Sequence, residues 1–396
     1  MISFNKEILN IDIQYFIKNN TNYSISEILL KGISFPNIDA KVIVEQIESR
    51  KRCETKLKTW FTTENIYYPN KLNIEQTSSE ITANYKANLI SGHSIIDLTG
   101  GFGVDCFAFS KNFTEVTHCE INSVLSKIVK HNYNQLKVNN ITCLNKDGIE
   151  ALKSSKNSFD WIYIDPSRRN DLKGKVFLLN DCLPNVPEHL DDLFKKSKNL
   201  LIKTSPLLDI SSGLNELKHV KTIHIVALNN EVKELLWLLE KDYTGEISIK
   251  TVNLKKGSES HFDFKLNEES QTIAKYNKPL AYLYEPNVAI LKSGAFNILA
   301  KKLNLFKLHQ HSHLYTSNFL IDFPGRQFKV IQQLPYNKKA LKKVFKAQRA
   351  NITTRNFPES VEQIRKKLNL KDGGNDYLFF TTNLDNKKVI VHCEKV

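Results

Sequence analysis

Acidic residues and glycines recur in this chain at the ends of short apolar runs. The run Ile95-Ile96 is followed by Asp97, by the glycine turn Gly100-Gly101-Phe102-Gly103 and by Asp105. This order predicts a buried strand, a tight turn and the start of a helix. Glycine suits the turn because it tolerates positive φ and lets a ligand approach the backbone closely. Nucleotide-binding folds of many kinds share such a turn, so residues further along the chain must distinguish between them.

Two more acidic residues end the next two predicted strands. Glu120 closes the segment EVTHCE, where a carboxylate can accept hydrogen bonds from both hydroxyls of a ribose. Asp147-Gly148 follows ITCLNK, a position suited to binding an adenine amino group. Asp147 also precedes a predicted helix, where an aspartate is favoured simply as a cap. Together with the glycine turn, these acidic residues at the strand ends predict a nucleoside pocket.

The motif IDPSRR at 164–169 ends a fourth predicted strand and discriminates most between function classes. Asp165 can accept a hydrogen bond from an exocyclic amine, and the stiff turn at Pro166 fixes a carbonyl group beside it. The pair would aim the amine nitrogen at a methyl group about 3–3.5 Å away. An enzyme that methylates a planar amine needs this arrangement and a dehydrogenase does not. The segment Lys203-Thr204-Ser205-Pro206 ends another strand and borders the same cleft.

Strands and helices alternate from residue 93 to about residue 253. The predicted strands are 95–98, 115–120, 141–145, 161–165, 199–204, 222–228 and 246–254. The predicted helices are 104–111, 122–138, 147–154, 188–195, 213–218 and 230–240. This alternation predicts an α/β domain with a mostly parallel sheet, covered on both faces, whose ligands bind at the carboxyl ends of the strands.

The composition is that of a globular protein with a cytoplasmic location. Hydrophobic residues make up 41% of the 396 residues, and no apolar run reaches the roughly 18 residues of a membrane helix. The six scattered cysteines form no CxxC pair, which favours a reduced compartment and neither zinc nor disulfides. The segment HQHSH at 309–313 lacks cysteine or carboxylate support, so no metal site is predicted.

The net charge of +14 is concentrated towards the end of the chain. Residues 322–396 hold 16 Lys and Arg against 7 Asp and Glu, so 16 − 7 = +9 lies there. This indicates a polyanionic partner, most simply nucleic acid, although a lysine-rich, AT-rich genome gives similar compositions. Lys342, Lys346 and Arg349 lie on one face of a predicted basic helix, and Arg355 is a candidate phosphate contact.

Residues 76–253 resemble the class I S-adenosylmethionine-dependent methyltransferases through DLTGGFG, HCE, KDG and IDPSRR. More narrowly, the chain resembles a bacterial group of methyltransferases with a C-terminal THUMP-like domain. That resemblance rests on EQTSSEITANYKA, YLYEPNVAILKSGAFN and NITTRNFP with KDGGNDYLF. Apolar residues at helical spacing predict a helical N-terminal region at 1–75, ahead of a Rossmann-like methyltransferase domain at 76–254. The resemblance, which covers roughly residues 55–396, implies a ferredoxin-like domain at 255–320 and a THUMP-like RNA-binding domain at 321–396.

The resemblance also assigns roles to residues. The expected S-adenosylmethionine site comprises Gln76, Ser79, Asp97, Thr99, Gly100, Gly101, Gly103, Asp105, Glu120, Asp147 and Gly148. The expected catalytic residues are Asp165 and Pro166. Amine methyltransferases usually carry a proline or an aromatic residue next, where this chain has Ser167, Arg168 and Arg169. The base must therefore stack elsewhere, on Arg168 or Phe102, unless the arginines bind phosphate instead.

The sequence thus predicts a cytoplasmic RNA methyltransferase that modifies an exocyclic nitrogen, guanine N2 or adenine N6, of tRNA or rRNA. Two alternatives stay open at this point. One is an S-adenosylmethionine-dependent methyltransferase that acts on a small molecule or a protein. The other is a non-catalytic RNA-binding protein with a relic cofactor pocket.

Overall fold

The structure is a computed structural model that describes residues 4–168, 178–337 and 349–396. The chain divides into two compact units. The first comprises Met1–Val220 with Leu236–Thr244, and the second comprises Lys221–Leu235 with Gly245–Val396. Within the described ranges, no helix has the length and apolar character needed to span a membrane.

The first unit begins with a helical region. Its helices are α1 (Ile11–Asn20), α2 (Ile25–Lys31), α3 (Ala40–Lys56), α4 (Lys58–Thr62), α5 (Lys71–Gln76) and α6 (Glu80–Leu89). Polar caps set where they begin, because the first backbone N–H groups of a helix lack partners within it. Ser24 forms a capping box with Glu27 on α2, and Ser79 accepts a hydrogen bond from Thr82 N at the start of α6.

A parallel sheet follows in the first unit. Its strands are β1 (Gly92–Asp97), β2 (Phe113–Cys119), β3 (Ile141–Leu144), β4 (Phe159–Ile164) and β7 (Ser197–Thr204). The spatial order is β7-β4-β1-β2-β3, and every neighbouring pair is parallel. The order reverses beside β1, so the crevice for ligands opens at the carboxyl ends of β1 and β4. A short ribbon, β5 (Ser167–Arg168) with β6 (Cys182–Leu183), extends from the end of β4.

Helices connect these strands as the sequence predicts. They are α7 (Val104–Phe109), α8 (Ser123–Gln135), α9 (Gly148–Ser154), α10 (Val186–Lys196) and α11 (Ile210–Glu216). The inner strands are mainly apolar where they are buried, with Ile96, Ile162 and Leu201 at most 1% exposed. Such strands read as continuous apolar runs because both faces of a parallel sheet are covered.

The helix predicted at 230–240 is wrong. Those residues form strand β9 (Glu231–Glu240), which follows β8 (Val220–Leu228) in a hairpin. Asn229 and Asn230 make the two-residue turn with φ of 52° and 62°, a geometry that asparagine tolerates. The run EVKELLWLLE contains good helix formers, but its middle is fully buried, and burial on both faces outweighed the local preference for helix.

The second unit contains two sheet regions. In one, β8 pairs in parallel with β10 (Ser248–Lys255), which forms a hairpin with β11 (Ser258–Lys265) ahead of α12 (Leu266–Ser270). The other is a seven-stranded sheet with the order β13-β14-β12-β15-β18-β17-β16. Its strands are β12 (Tyr282–Pro286), β13 (Phe306–Lys307), β14 (Tyr315–Ser317), β15 (Gly325–Pro335), β16 (Asn351–Arg355), β17 (Asp376–Thr382) and β18 (Lys388–Lys395).

Three helices accompany the seven-stranded sheet: α13 (Val288–Ser293), α14 (Asn297–Lys302) and α15 (Val361–Leu368). Asn287 caps α13 directly after β12. The C-terminal region contains the strand β15, the later strand β16, the helix α15 and the paired strands β17 and β18. The basic helix predicted at 338–349 lies, except for Arg349, outside the described residues.

Candidate active site

The glycine turn at 100–103 joins β1 to α7 in the conformation that its sequence predicts. Gly101 and Gly103 have φ of 54° and 78°, and Gly103 N donates to Gly100 O at 2.9 Å. A side chain at Gly100 would collide with the ring of His118, and one at Gly103 would collide with Tyr133. The turn is therefore packed tightly against His118 and Tyr133. A side chain at Gly101 would have only Thr99 O nearby, at 3.8 Å, so this position is open.

Glu120 lies directly after β2 and is held by the glycine turn. Its Oε2 accepts a hydrogen bond from Gly101 N at 3.0 Å, and its Oε1 accepts one from Asn122 N at 2.7 Å. Burial raises the pKa of Glu120, and the two backbone N–H groups oppose that rise. Each carboxylate oxygen keeps an acceptor site for a further donor, so the predicted ribose contact has a fixed carboxylate.

Thr99 links the end of β1 to the end of β4. Asp97 Oδ1 accepts hydrogen bonds from Thr99 N at 2.8 Å and from Thr99 Oγ1 at 3.1 Å. Asp165 N in turn donates to Thr99 Oγ1 at 2.7 Å. Asp97 is 1% exposed, and burial raises its pKa to about 7, although the bonds from Thr99 oppose the shift. One hydroxyl thus fixes the backbone of the predicted catalytic residue.

The side chain of Asp165 forms an ion pair with Lys203. Asp165 Oδ2 contacts Lys203 Nζ, and the two side chains are 32% and 14% exposed. Lys203 comes from β7, the strand beside β4, so the pairing follows from the strand order. The sequence placed the segment at 203–206 on the border of the cleft but gave no sign that Lys203 meets Asp165.

A second carboxylate, Asp105, is the centre of a buried polar cluster. Its Oδ2 accepts hydrogen bonds from Ser78 Oγ at 3.0 Å and Tyr163 Oη at 2.9 Å, and its Oδ1 lies 3.2 Å from Lys86 Nζ. Burial alone would raise the pKa of Asp105, but Lys86 and Lys203 outweigh it and hold the pKa below the ordinary value. Asp105 is therefore an anion that the fold has already neutralised.

Lys86 and Tyr163 are residues that the sequence analysis missed. Lys86 is fully buried and also donates to Ser78 Oγ at 3.0 Å. A lysine on a helix normally indicates a solvated face, and a tyrosine in an apolar run normally indicates core packing. No local pattern distinguishes these two from such residues.

The remaining predicted cofactor residues lie near strand or helix ends. Asp147 Oδ1 accepts a hydrogen bond from Glu150 N at 3.0 Å, so this carboxylate caps α9. Gly148 packs so closely on the backbone of Leu98 that a side chain would collide with it. Ser79 caps α6, and Gln76 is exposed at the end of α5.

The predicted acceptor side of the cleft is described only in part. Pro166 is buried, and Ser167 is exposed and pairs with Leu183 in the ribbon. The side chain of Arg168 and all of Arg169 lie outside what the structure describes. Phe102 is 3% exposed and lies beside Trp60, with the ring centroids 6.1 Å apart, so this conformation offers no Phe102 ring face to a base.

The predicted RNA contacts lie in the second unit. Arg349 is exposed. Arg355 donates to Glu285 Oε1 at 2.8 Å, and Arg326 Nε donates to Glu285 Oε2 at 2.6 Å. Glu285 is 4% exposed, so a buried carboxylate orients two partly exposed guanidinium groups. Lys342 and Lys346 lie outside the described residues.

The histidine segment at 309–313 forms hydrogen bonds within the second unit. His309 Nε2 lies 3.0 Å from Asn386 Oδ1, and His309 Nδ1 lies 3.0 Å from Asn356 Nδ2. Among the residues that the structure describes, no group of three or more His, Cys, Asp or Glu side chains is placed to hold a metal ion.

Three family models match parts of the chain. Residues 67–204 match a family described as conserved hypothetical protein 95. Residues 282–324 match a ferredoxin-like domain, and residues 325–395 match a family described as THUMP domain-like. The last two meet within the seven-stranded sheet, where β12 pairs with β15.

The crystal structure of a protein from Porphyromonas gingivalis W83, assigned as a methyltransferase, is similar over the full length. The two chains are 33% identical, each is covered to 100%, and the TM-score is 0.90. The chain belongs to this methyltransferase family. The methyltransferase thus has the predicted fold class, an α/β domain followed by ferredoxin-like and THUMP-like modules, and the recognition from sequence is confirmed.

A curated relative of the methyltransferase comes from Mycoplasma mobile and is named an uncharacterized RNA methyltransferase. It is 28% identical over 178 residues, which cover 42% of this chain and 48% of the relative. The match therefore spans about half the length of that relative. RNA as the substrate of the present methyltransferase is accordingly a proposal.

Proposed function

We propose that this protein is an S-adenosylmethionine-dependent RNA methyltransferase that modifies an exocyclic base nitrogen, guanine N2 or adenine N6, of tRNA or rRNA. The observation that carries the proposal is the position of Asp165. Its backbone is tied through Thr99 to Asp97 at the end of β1, so a carboxylate that can bind an amine stands beside the predicted cofactor crevice.

The residues present fit S-adenosylmethionine. Glu120 presents an oriented carboxylate for the two ribose hydroxyls, and the open space at Gly101 lets a ligand reach the backbone. We assign further cofactor contacts to Asp147 and Gly148 at the start of α9, to Ser79 at the start of α6 and to Gln76 at the end of α5. When bound, S-adenosylmethionine supplies a methyl group on a positively charged sulfur.

Asp165 has the geometry to orient the acceptor amine. Its carboxylate would accept a hydrogen bond from the amine, while the buried Pro166 holds the turn that presents a backbone carbonyl group. This fixes the direction of the nitrogen lone pair, and orientation supplies a large part of the rate in such a transfer. Asp165 is 32% exposed, so water at its carboxylate can take the proton that the amine releases.

We assign the predicted RNA contacts within each unit separately. Ser167, Arg168 and Arg169 follow the catalytic turn, and Arg349 and Arg355 with Lys342 and Lys346 belong to the THUMP-like end. Lysine and arginine contacts to phosphate position a nucleic acid without reading its sequence. We also propose the boundaries 1–75, 76–254, 255–320 and 321–396 for the four regions, and a cytoplasmic location consistent with six free cysteines.

The test replaces Asp165 with alanine. RNA from a strain that lacks the protein is incubated with radiolabelled S-adenosylmethionine, and the labelled nucleoside is identified by mass spectrometry. We expect Asp165→Ala to bind the cofactor with unchanged affinity and to lose transfer by about 100-fold or more. Asp192→Ala is the matched control, because Asp192 lies on α10 and pairs only with surface lysines among the described residues.

Each other outcome points to a different function. Transfer by Asp165→Ala at the rate of the unmodified protein would refute the role of Asp165. Labelling of a protein or a small metabolite in cell extract, with none in RNA, would favour the alternative substrate classes. RNA binding without any affinity for S-adenosylmethionine would identify a non-catalytic RNA-binding protein.

A further inference from the structure

Lys203 is the cation that the proposed mechanism leaves without a role. It comes from the end of β7 and contacts Asp165 Oδ2 across the crevice, although 38 residues separate the two in the chain. Its side chain is 14% exposed, so most of it is shielded from water. A lysine loses side-chain rotamer entropy when it is fixed, so a fixed, shielded lysine needs a compensating interaction.

The charges around Lys203 explain its placement. The described crevice contains two cations, Lys86 and Lys203, and two carboxylates near them, Asp105 and Asp165. Lys86 neutralises Asp105 from within the core, and Lys203 contributes to the field at Asp105 while it pairs directly with Asp165. Because an ion pair shielded from water is stronger than an exposed one, Lys203 restrains Asp165 more than a surface lysine would.

We propose that Lys203 is a positioning residue for methyl transfer and that it acts through Asp165. The inference rests on the proposed function. The hydrogen bond to Thr99 fixes the backbone of Asp165 but leaves the side chain free to rotate. The ammonium group of Lys203 occupies Oδ2 and stops that rotation. Oδ1 is then the oxygen available to the amine, and the orientation of the base follows from it.

The consequence concerns turnover more than RNA binding. A carboxylate that rotates freely still lets RNA bind through its phosphates, but it presents the amine correctly for a smaller part of the time. Lys203 therefore affects kcat, while KM for RNA depends mainly on the basic surface.

The experiment measures kcat and KM for RNA from the strain lacking the protein, with radiolabelled S-adenosylmethionine. For Lys203→Met we expect kcat to fall about 10- to 100-fold, with KM for RNA and affinity for the cofactor within about threefold of the unmodified protein. Lys203→Arg keeps a cation and should recover most of the loss. Lys198→Met, an exposed lysine at the other end of β7, is the matched control and should leave kcat unchanged.

A double-mutant cycle separates positioning from a general structural role. If Lys203 acts through Asp165, adding Lys203→Met to Asp165→Ala lowers transfer no further, because the carboxylate to be positioned is already gone. Additive losses, or a kcat of Lys203→Met equal to that of the unmodified protein, would overturn the inference and leave the proposed function standing. An unmodified protein without transfer to RNA would instead overturn the proposed function and the inference with it. Lys203→Gln replaces Lys203→Met if the latter fails to fold.

Discussion

At the scale of single residues, buried polar groups hold the crevice in shape. Thr99 makes three hydrogen bonds. Asp105 Oδ2 accepts hydrogen bonds from a serine and a tyrosine, and its Oδ1 forms an ion pair with Lys86. Such groups are costly to bury unless they are paired. His118 differs, because its Nδ1 is buried without a partner among the described residues and its Nε2 lies 3.3 Å from Gly101 O. The His118 ring packs against Gly100 of the glycine turn.

His118 should make the protein less stable in mild acid. Burial lowers the pKa of His118 from 6.5 to about 4, so the folded state favours the neutral ring. The unfolded chain gains a proton first as the pH falls, and the stabilisation present above pH 6.5 is lost progressively down to about pH 4. The expected loss is about 3 kcal/mol.

The measurement is the free energy of unfolding of the unmodified protein minus that of His118→Leu, from pH 7 to pH 4. Asp97 has its pKa raised to about 7 and gives the opposite slope, but it titrates in both proteins and largely cancels. His93→Leu, at an exposed histidine that lies 3.5 Å from Glu115, serves as the control and should show no fall in this difference as the pH drops. A flat difference for His118→Leu would contradict the prediction.

At the scale of elements, close backbone crossings bring the strand ends together. Gly148 begins α9 and touches the backbone of Leu98 just after β1. This contact sets the distance between the glycine turn and the predicted adenine side of the pocket. In a helix, replacing glycine with alanine normally raises stability by about 1 kcal/mol. Any loss of stability at Gly148 must therefore come from the collision with Leu98.

Gly148→Ala should therefore destabilise the protein by about 1–3 kcal/mol and weaken S-adenosylmethionine binding about tenfold or more, because β1 and α9 must move apart. Calorimetric titration with the cofactor and thermal unfolding check both effects. Gly257→Ala is the control, since Gly257 lies in open space at φ of 80° on the β10–β11 turn. It should cost some stability through backbone strain and leave cofactor affinity unchanged. Normal affinity in Gly148→Ala would show that the crossing does not shape the pocket.

At the scale of the whole molecule, the second unit presents most of the clustered positive charge. Its seven-stranded sheet joins the ferredoxin-like and THUMP-like modules, and Glu285 on β12 binds Arg326 on β15 and Arg355 on β16. Because the carboxylate is buried, it fixes the direction of both guanidinium groups. Arg349 is exposed, so its side chain is accessible to a phosphate group.

RNA binding should depend on salt in proportion to the number of phosphates contacted. Arg349→Gln is expected to weaken binding of bulk tRNA uniformly and to reduce the slope of log K against log salt concentration by about 1. Filter binding between 50 and 200 mM salt, about the range where such slopes are measured, checks this. Lys256→Gln, an exposed lysine outside the THUMP-like end, should leave the slope unchanged. An unchanged slope for Arg349→Gln would remove Arg349 from the RNA surface.

Local sequence patterns predicted most of the elements and the functional residues at the strand ends. The glycine turn, Glu120, Asp147 and Asp165 stand where local patterns predict, because apolar runs, caps and turn residues act over a few positions. The basic C-terminal module was also predicted from its own segments. The helix predicted at 230–240 was wrong because these residues are buried on both faces and form a strand. No local sequence pattern shows such burial.

Only the tertiary structure decided which side chains meet at the crevice. Tyr163 and Asp105 are 58 residues apart in the chain, and Asp165 and Thr99 are 66 apart. Lys203 reaches Asp165 only because β7 lies beside β4 in the sheet. Strand order is a property of the assembled sheet, and it brought together the Asp165–Lys203 ion pair, which the residue types alone could not predict.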